Sequence, residues 1–304
     1  MKFVVVVGSV NIDFAIRVAE LPRPHETIMG GDLGISVGGK GLNQATACAR
    51  LGLETHLVGA VGSDAFAEQA LAHLKTRGVS AHHVHRLHGA TGAASICVAQ
   101  DGANMIVVAP GANARLTPQH VEQAEALIRE AAAVIAQLET PLATVKAALE
   151  MARRHAVLIL LNPAPVDARV MDLLPLADLV TPNEAELERL TGVTGQGDAA
   201  LREALGRLIA AGAERAVVTL GRQGCATLID GELVRVPAFT VEAVDAVGAG
   251  DVFNAALLSR ILRGHSLPDA MRFAAAAAAI SVTRPGADGA PSEDETATFL
   301  ANFA

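Results

Sequence analysis

The chain has 304 residues, 51% of them hydrophobic, enough to bury a large core without disulfide or metal staples. Its 24 Lys and Arg against 32 Asp and Glu leave a formal net charge of −8, which excludes a broad basic surface, so neither nucleic acid nor an anionic membrane is an expected partner. Three cysteines, Cys48, Cys97 and Cys225, are odd in number and sit in apolar stretches, as expected of reduced thiols in a cytoplasmic protein. With no Trp and no Tyr, a flat ligand ring has only Phe, His or aliphatic side chains to stack on.

From the N-terminus, Phe3 to Val7 is a continuous apolar run ending at Gly8-Ser9, the pattern of a buried parallel strand. Asn11 and Asp13 follow, just beyond the strand end where open α/β sheets bind ligands. Between Phe14 and Val37, short runs broken by Leu21-Pro22-Arg23-Pro24 and Gly30-Gly31 predict small strands outside the main sheet. Gly38-Gly39-Lys40-Gly41-Leu42-Asn43-Gln44 opens a helix to about Leu51, before a strand from Thr55 to Val61 and a helix from about Asp64 to Arg77. A second strand-rich patch runs from about Val84 to Val108, with a hairpin turn at Asp101-Gly102-Ala103-Asn104. The two patches, about 14–37 and 84–108, are expected to pair into one small β-sheet lid.

Beyond Pro110 strands and helices alternate. A helix is predicted over 118–130, a strand over 133–138 ending at Glu139, and a helix from Leu142 to Arg154. A strand from Val157 to Leu161 runs into Asn162, and a short one at Leu179-Val180 ends at Thr181-Pro182-Asn183-Glu184, with a helix after it. A further helix covers 199–211, and a strand over 216–220 ends at Gly221. Antiparallel strands between Cys225 and Val236 and two helices, 249–263 and 268–283, close the chain. The apolar run from Phe273 to Val282 is too short to span a bilayer. No repeat or linker divides the sequence, so one domain over 1–304 is expected. Its fold class is α/β: a doubly wound, mainly parallel central sheet with helices on both faces, plus the small lid.

Polar residues cluster at the predicted strand ends: Asn11 and Asp13, Glu139, Asn162, Asn183 with Glu186, Thr219 with Gly221, and Asp251. In this architecture those ends converge on one crevice. The turn Asp245-Ala246-Val247-Gly248-Ala249-Gly250-Asp251 carries the chemistry. A helix starts near Ala249, and its unpaired N–H groups with glycine flanks suit an anion such as a phosphate. A carboxylate at Asp251 beside that anion repels it, unless a hydroxyl lies between them and must lose its proton during phosphoryl transfer. Gly34 to Lys40 matches the start of a P-loop, but Gly41 stands where a Mg²⁺-binding Ser or Thr is needed. His82, His83, His85 and His88 match neither helical metal pairs nor a finger, and read as a solvated strand.

On both glycine turns, with Asn11-Ile12-Asp13, Gln137-Leu138-Glu139, Thr181-Pro182-Asn183-Glu184 and Thr219-Leu220-Gly221, the chain resembles the ribokinase-like (PfkB-type) sugar kinases over essentially its whole length. The resemblance implies transfer of the ATP γ-phosphoryl group to the 5-hydroxyl of D-ribose. Asp251 is then the base, and Gly248, Ala249 and Gly250 form the anion hole. Asn11, Asp13, Gly39, Lys40, Gly41, Asn43 and Glu139 become sugar ligands beside Asp251. Asn183, Glu186, Thr219, Gly221, Arg222, Gly224, Gly250 and Ala275 fall on the ATP and Mg²⁺ side. Asp245, Val247, Ser281, Arg284 and Gly286 fall where an activating K⁺ is held, with Ser292 as a last ligand. Two departures stand out: the spacing from Gly286 to Ser292, and Ala275 where some members carry a larger polar residue near adenine. A homodimer through the lid is also implied. The alternatives are a kinase of 2-deoxyribose, a nucleoside or another sugar, and a non-catalytic sugar-binding regulator.

Overall fold

The computed structural model describes residues 3–101 and 103–303. Strand β1 (Val4–Val7) leads into β2 (Asn11–Val18) and β3 (Leu33–Gly38), then helix α1 (Lys40–Arg50), β4 (Thr55–Val61), α2 (Ala65–Thr76) and β5 (Val79–Arg86). After β6 (Gly92–Ala99) and β7 (Asn104–Ala109) come α3 (Pro118–Glu122), α4 (Glu125–Glu130), β8 (Ala133–Ala136), α5 (Leu142–Arg154), β9 (Leu158–Leu161) and β10 (Leu179–Val180). The rest of the chain contains α6 (Glu184–Thr191), α7 (Asp198–Ala210), β11 (Val217–Thr219), β12 (Cys225–Ile229), β13 (Glu232–Val236), α8 (Ala249–Leu262), α9 (Leu267–Ser281) and α10 (Glu293–Ala301).

The central sheet has the order β10-β9-β8-β1-β4-β5, every pair parallel. Parallel bridges from Val180 to Ala216 and from Asn183 to Thr219 carry it on into β11, which pairs antiparallel with β12 and then β13. Strand β1 shows why both faces are covered. Its four valines are fully buried, and their alternation sends Val4 and Val6 into one apolar cluster and Val5 and Val7 into the other. The first cluster is filled from α1, α2, α8 and α9, the second from α3 to α7. Two such faces make the doubly wound α/β fold the sequence predicts.

The smaller sheet has the order β3-β2-β6-β7. Strand β2 pairs antiparallel with β3 and parallel with β6, and β6 pairs antiparallel with β7. Its boundaries correct the sequence reading: residues 84–86 belong to β5 on the edge of the central sheet. That edge strand is only partly buried and rich in His, so in sequence it resembles a solvated strand of the smaller sheet, hence the misplacement. Gly102 of the expected hairpin turn lies outside the described residues. The helix expected over 118–130 is two shorter ones, and α10 extends the chain past the helix expected to close it. Among the described residues no helix is long and apolar enough to cross a membrane.

Candidate active site

Gly248 is the N-cap of helix α8, in the left-handed region at φ 78°, where a Cβ would lie 2.8 Å from the Ala287 carbonyl oxygen. Only glycine fits that turn without strain. A Cβ on Gly250 would meet nothing within 4 Å, so the helix start faces open space there. No side chain caps α8. The Ala249 N–H is held by the Ala246 carbonyl at 3.3 Å, so it is the next amides, with the positive end of the dipole, that are offered outward in the manner of an anion site. Buried Val252, Phe253, Leu257 and Leu258 anchor the helix in the core.

Asp251 lies in the first turn and is 6% exposed. Asn43 Nδ2 donates to its Oδ2 at 3.2 Å, and Gln44 Nε2 donates to its Oδ1 at 2.9 Å. Burial raises its pKa, and Glu139 adds to the rise, while Lys40, Gln44 and Asn43 oppose it. The Lys40 ammonium is lowered by burial, but Asp251, Glu139 and Glu186 together outweigh that and raise it. Burial also raises Glu186, against the Asn183 N–H and Lys40. Asp13 is pushed up to about 6, first by burial and then by Glu139 and Asp251. Asp13, Lys40, Glu139, Glu186 and Asp251 thus lie close enough for their charges to act on one another, although 238 positions separate the first from the last.

The sugar-side candidates are held by backbone geometry. Gly39 at φ 95° precedes α1. A Cβ on Gly41 would lie 2.4 Å from the Ser9 nitrogen, so its absence lets α1 dock on the end of β1. Glu139 Oε2 accepts from Ser9 Oγ at 2.5 Å and from the Lys40 N–H at 3.0 Å. Asn11 Oδ1 accepts from Asn113 Nδ2 at 2.8 Å, and Asn113 is itself fastened to both backbone groups of Val10. Ser9 and Asn113 are supporting residues that sequence reasoning missed. Ser9 had a usable signal, a small polar residue directly after β1, whereas Asn113 acts across 102 positions and had none.

On the other flank Asn183 caps α6. Its Oδ1 accepts from the Glu186 N–H and Glu186 Oε2 accepts from the Asn183 N–H, both at 2.8 Å. Thr219 bridges Asn183, and a Cβ on Gly221 would meet nothing within 4 Å. Gly224 has no room for a Cβ, which would lie 2.0 Å from the Val236 oxygen, and Arg222 is exposed. Ala275 is 8% exposed within the apolar cluster shared by α8 and α9.

Behind the helix start, Asp245 accepts from the Val247 N–H and the Gly286 N–H, each at 3.0 Å. Ser281 Oγ donates to the Ala278 carbonyl at 2.8 Å. Arg284 reaches Glu295 at 2.7 Å, and Ser292 caps α10, with its Oγ accepting from the Glu295 N–H at 3.2 Å. The Ser292 side chain is thus turned toward its own helix. On β5, the His82 and His83 rings meet edge to face, and His85 packs tilted against His120 of α3. No group of three or more potential metal-binding side chains forms among the described residues.

Residues 1–294 match the family model described as pfkB family carbohydrate kinase. The chain is 38% identical over 301 residues to a ribokinase of Haemophilus influenzae, with 98% of each chain covered. It is 33% identical over 300 residues to a deoxyribokinase of Salmonella typhi, again with 98% of each covered. The structure of an Arabidopsis thaliana ribokinase complexed with ribose and ATP aligns with a TM-score of 0.88 at 30% identity, covering 98% of both chains. ATP- and Mg²⁺-dependent catalysis is typical of such enzymes. An uncapped helix start, a buried carboxylate beside it and this likeness lead to one conclusion: the chain belongs to the PfkB, or ribokinase-like, family of carbohydrate kinases and is an ATP-dependent kinase of a small sugar or alcohol.

Proposed function

We propose that this enzyme phosphorylates the 5-hydroxyl of D-ribose, with Asp251 as general base and the amides of Gly248, Ala249, Gly250 and Asp251 as anion hole. The observation that carries this reading is the Asp251 carboxylate, buried at the uncapped start of α8 and held by Asn43 and Gln44. Phosphoryl transfer passes through a loose transition state, so positioning and charge neutralisation dominate. The helix start neutralises charge growing on the transferred group, at about 3 kcal/mol per donor. Asp251 orients the attacking hydroxyl and accepts its proton late in the step. Lys40 balances the surrounding carboxylates.

Ribose is favoured by the acceptors on the sugar side, chiefly Asp13 and Glu139 with Asn11 and Asn43. A desolvated acceptor left without a hydroxyl donor is costly, which favours the pentose richest in hydroxyls. With no Trp or Tyr, a nucleoside base has only Phe, His or aliphatic side chains to stack on, which disfavours that substrate. The residues suit their cofactors. Glu186 Oε1 and the Asn183 amide are oxygen donors suited to Mg²⁺ through its waters, which would supply charge neutralisation of the triphosphate. Asp245, with one N–H on each oxygen, keeps lone pairs for K⁺ beside backbone carbonyls. We also assign the smaller sheet as a lid, because β2 starts with Asn11 and Asp13 and β3 ends at Gly38, so the sheet grows out of the site. Its exposed apolar residues Leu33, Ile35, Met105, Ile106, Val107 and Val108 suit a homodimer contact.

ADP release measured against pentoses, nucleosides and hexose phosphates, with and without K⁺, tests the reading. Ribose is expected to give the highest kcat/KM. A higher value for 2-deoxyribose or a nucleoside overturns the substrate assignment, and sugar binding without ADP release overturns catalysis.

A further inference from the structure

We propose that Gln44 is a positioning residue for phosphoryl transfer: a buried amide that fixes the Asp251 carboxylate and ties it to the strand-end loop before Asn183. The inference rests on the reading of Asp251 as base. Gln44 is fully buried, so it cannot touch the sugar. Its Nε2 donates to Asp251 Oδ1 at 2.9 Å and to Asn162 Oδ1 at 3.1 Å, and its Oε1 accepts from Gln137 Nε2 at 2.5 Å. Both N–H groups and the carbonyl are therefore engaged.

The amide orientations follow from one fixed point. Asn162 Nδ2 donates to the Thr181 carbonyl at 2.9 Å, which leaves Asn162 Oδ1 facing Gln44. Turning Gln44 over would set its carbonyl against that oxygen and a carboxylate together. Room for the network comes from Gly8, where a Cβ would lie 2.1 Å from Gln137 Oε1. Asn43, the other donor to Asp251, is 8% exposed and assigned to the sugar, so Gln44 is the donor dedicated to the base. Through Asn162 it also reaches the Thr181 backbone, two residues from Asn183. The base and the nucleotide flank are thus held in one buried chain of hydrogen bonds.

The test uses the full chain. Gln44→Met keeps length but removes both donors, and kcat is expected to fall about 10- to 100-fold, the scale of losing a hydrogen bond to a charged group, with sugar KM nearly unchanged. Gln44→Glu sets a second carboxylate against Asp251, so kcat falls further and its acid limb moves to higher pH. The other charged groups facing Asp251, Lys40 and Glu139 with Asp13 and Glu186 beyond them, are the same in both variants. A purely structural role would lower the folded fraction, read by circular dichroism, and leave kcat per folded molecule unchanged. Should the Gln44 variants fail to fold, Asn162→Ala, which does not touch Asp251, is expected to lower kcat several-fold at constant KM, and unchanged kcat there overturns the proposal. Parental kcat in Gln44→Met and Gln44→Glu overturns it too, provided Asp251→Asn is inactive. An active Asp251→Asn overturns the base assignment instead.

Discussion

Gly38 and Asp13 meet at the root of the smaller sheet so closely that a Cβ on Gly38 would lie 2.1 Å from Asp13 Oδ2. The carboxylate occupies the space a side chain would need. Gly38→Ala is therefore expected to displace the Asp13 carboxylate. If Asp13 binds a hydroxyl, sugar KM rises about 10- to 100-fold, the range of one charge-assisted hydrogen bond, while kcat changes less. Steady-state kinetics on ribose checks this, and an unchanged KM removes Asp13 from the sugar ligands.

Asp13 also predicts a pH dependence. Its pKa rises from 3.8 to about 6, mainly by burial, so the folded state holds the proton more tightly than the unfolded chain. Stability then falls as pH rises through that window and stays lower above it. The shift corresponds to ~3 kcal/mol at most. Asp13→Asn should melt higher than the parent at about pH 7.5 and near it at about pH 4, while losing sugar affinity. In the parent, kcat/KM should rise with pH through about 6 as the acceptor ionises.

Asp251→Asn keeps the shape of the side chain and removes the base. Turnover should drop about 10²- to 10⁴-fold, with sugar binding retained. Single-turnover rates together with equilibrium sugar binding separate the two effects. A variant with a tenth of parental kcat or more contradicts the base role.

Two residues that the family resemblance places at K⁺ should separate. Ser292 caps α10 in a reciprocal box with Glu295, so Ser292→Ala should cost about 1 kcal/mol of stability and leave K⁺ activation intact. Asp245 joins the α8 approach to the Gly286 loop, so Asp245→Asn should abolish K⁺ activation. Activity titrated with K⁺ against Na⁺, alongside thermal melts, reads both.

Val107 is 65% exposed on the smaller sheet. Val107→Asp should leave the fold unchanged and dissociate the proposed dimer, as read by sedimentation. A parent that is monomeric removes the contact altogether.

Much of this molecule is written locally. Four consecutive valines ending at Gly8, the repeated strand–helix order, and glycine turns ahead of Lys40 and Asp251 were readable because side-chain periodicity and left-handed backbone are properties of short segments. Glycine at 39 and 248 announces a turn wherever the rest of the chain lies. Packing alone decided the rest. Gln44 and Asp251 are 207 positions apart, and Ser9 and Glu139 are 130. Whether the Ser292 hydroxyl faces a cation or its own helix, and which sheet takes residues 84–86, likewise depended on neighbours brought from elsewhere in the chain. The side chains announce what each group can donate or accept, but distances of 2.5 to 3.2 Å arise only when the two helix layers close on the sheet and exclude water.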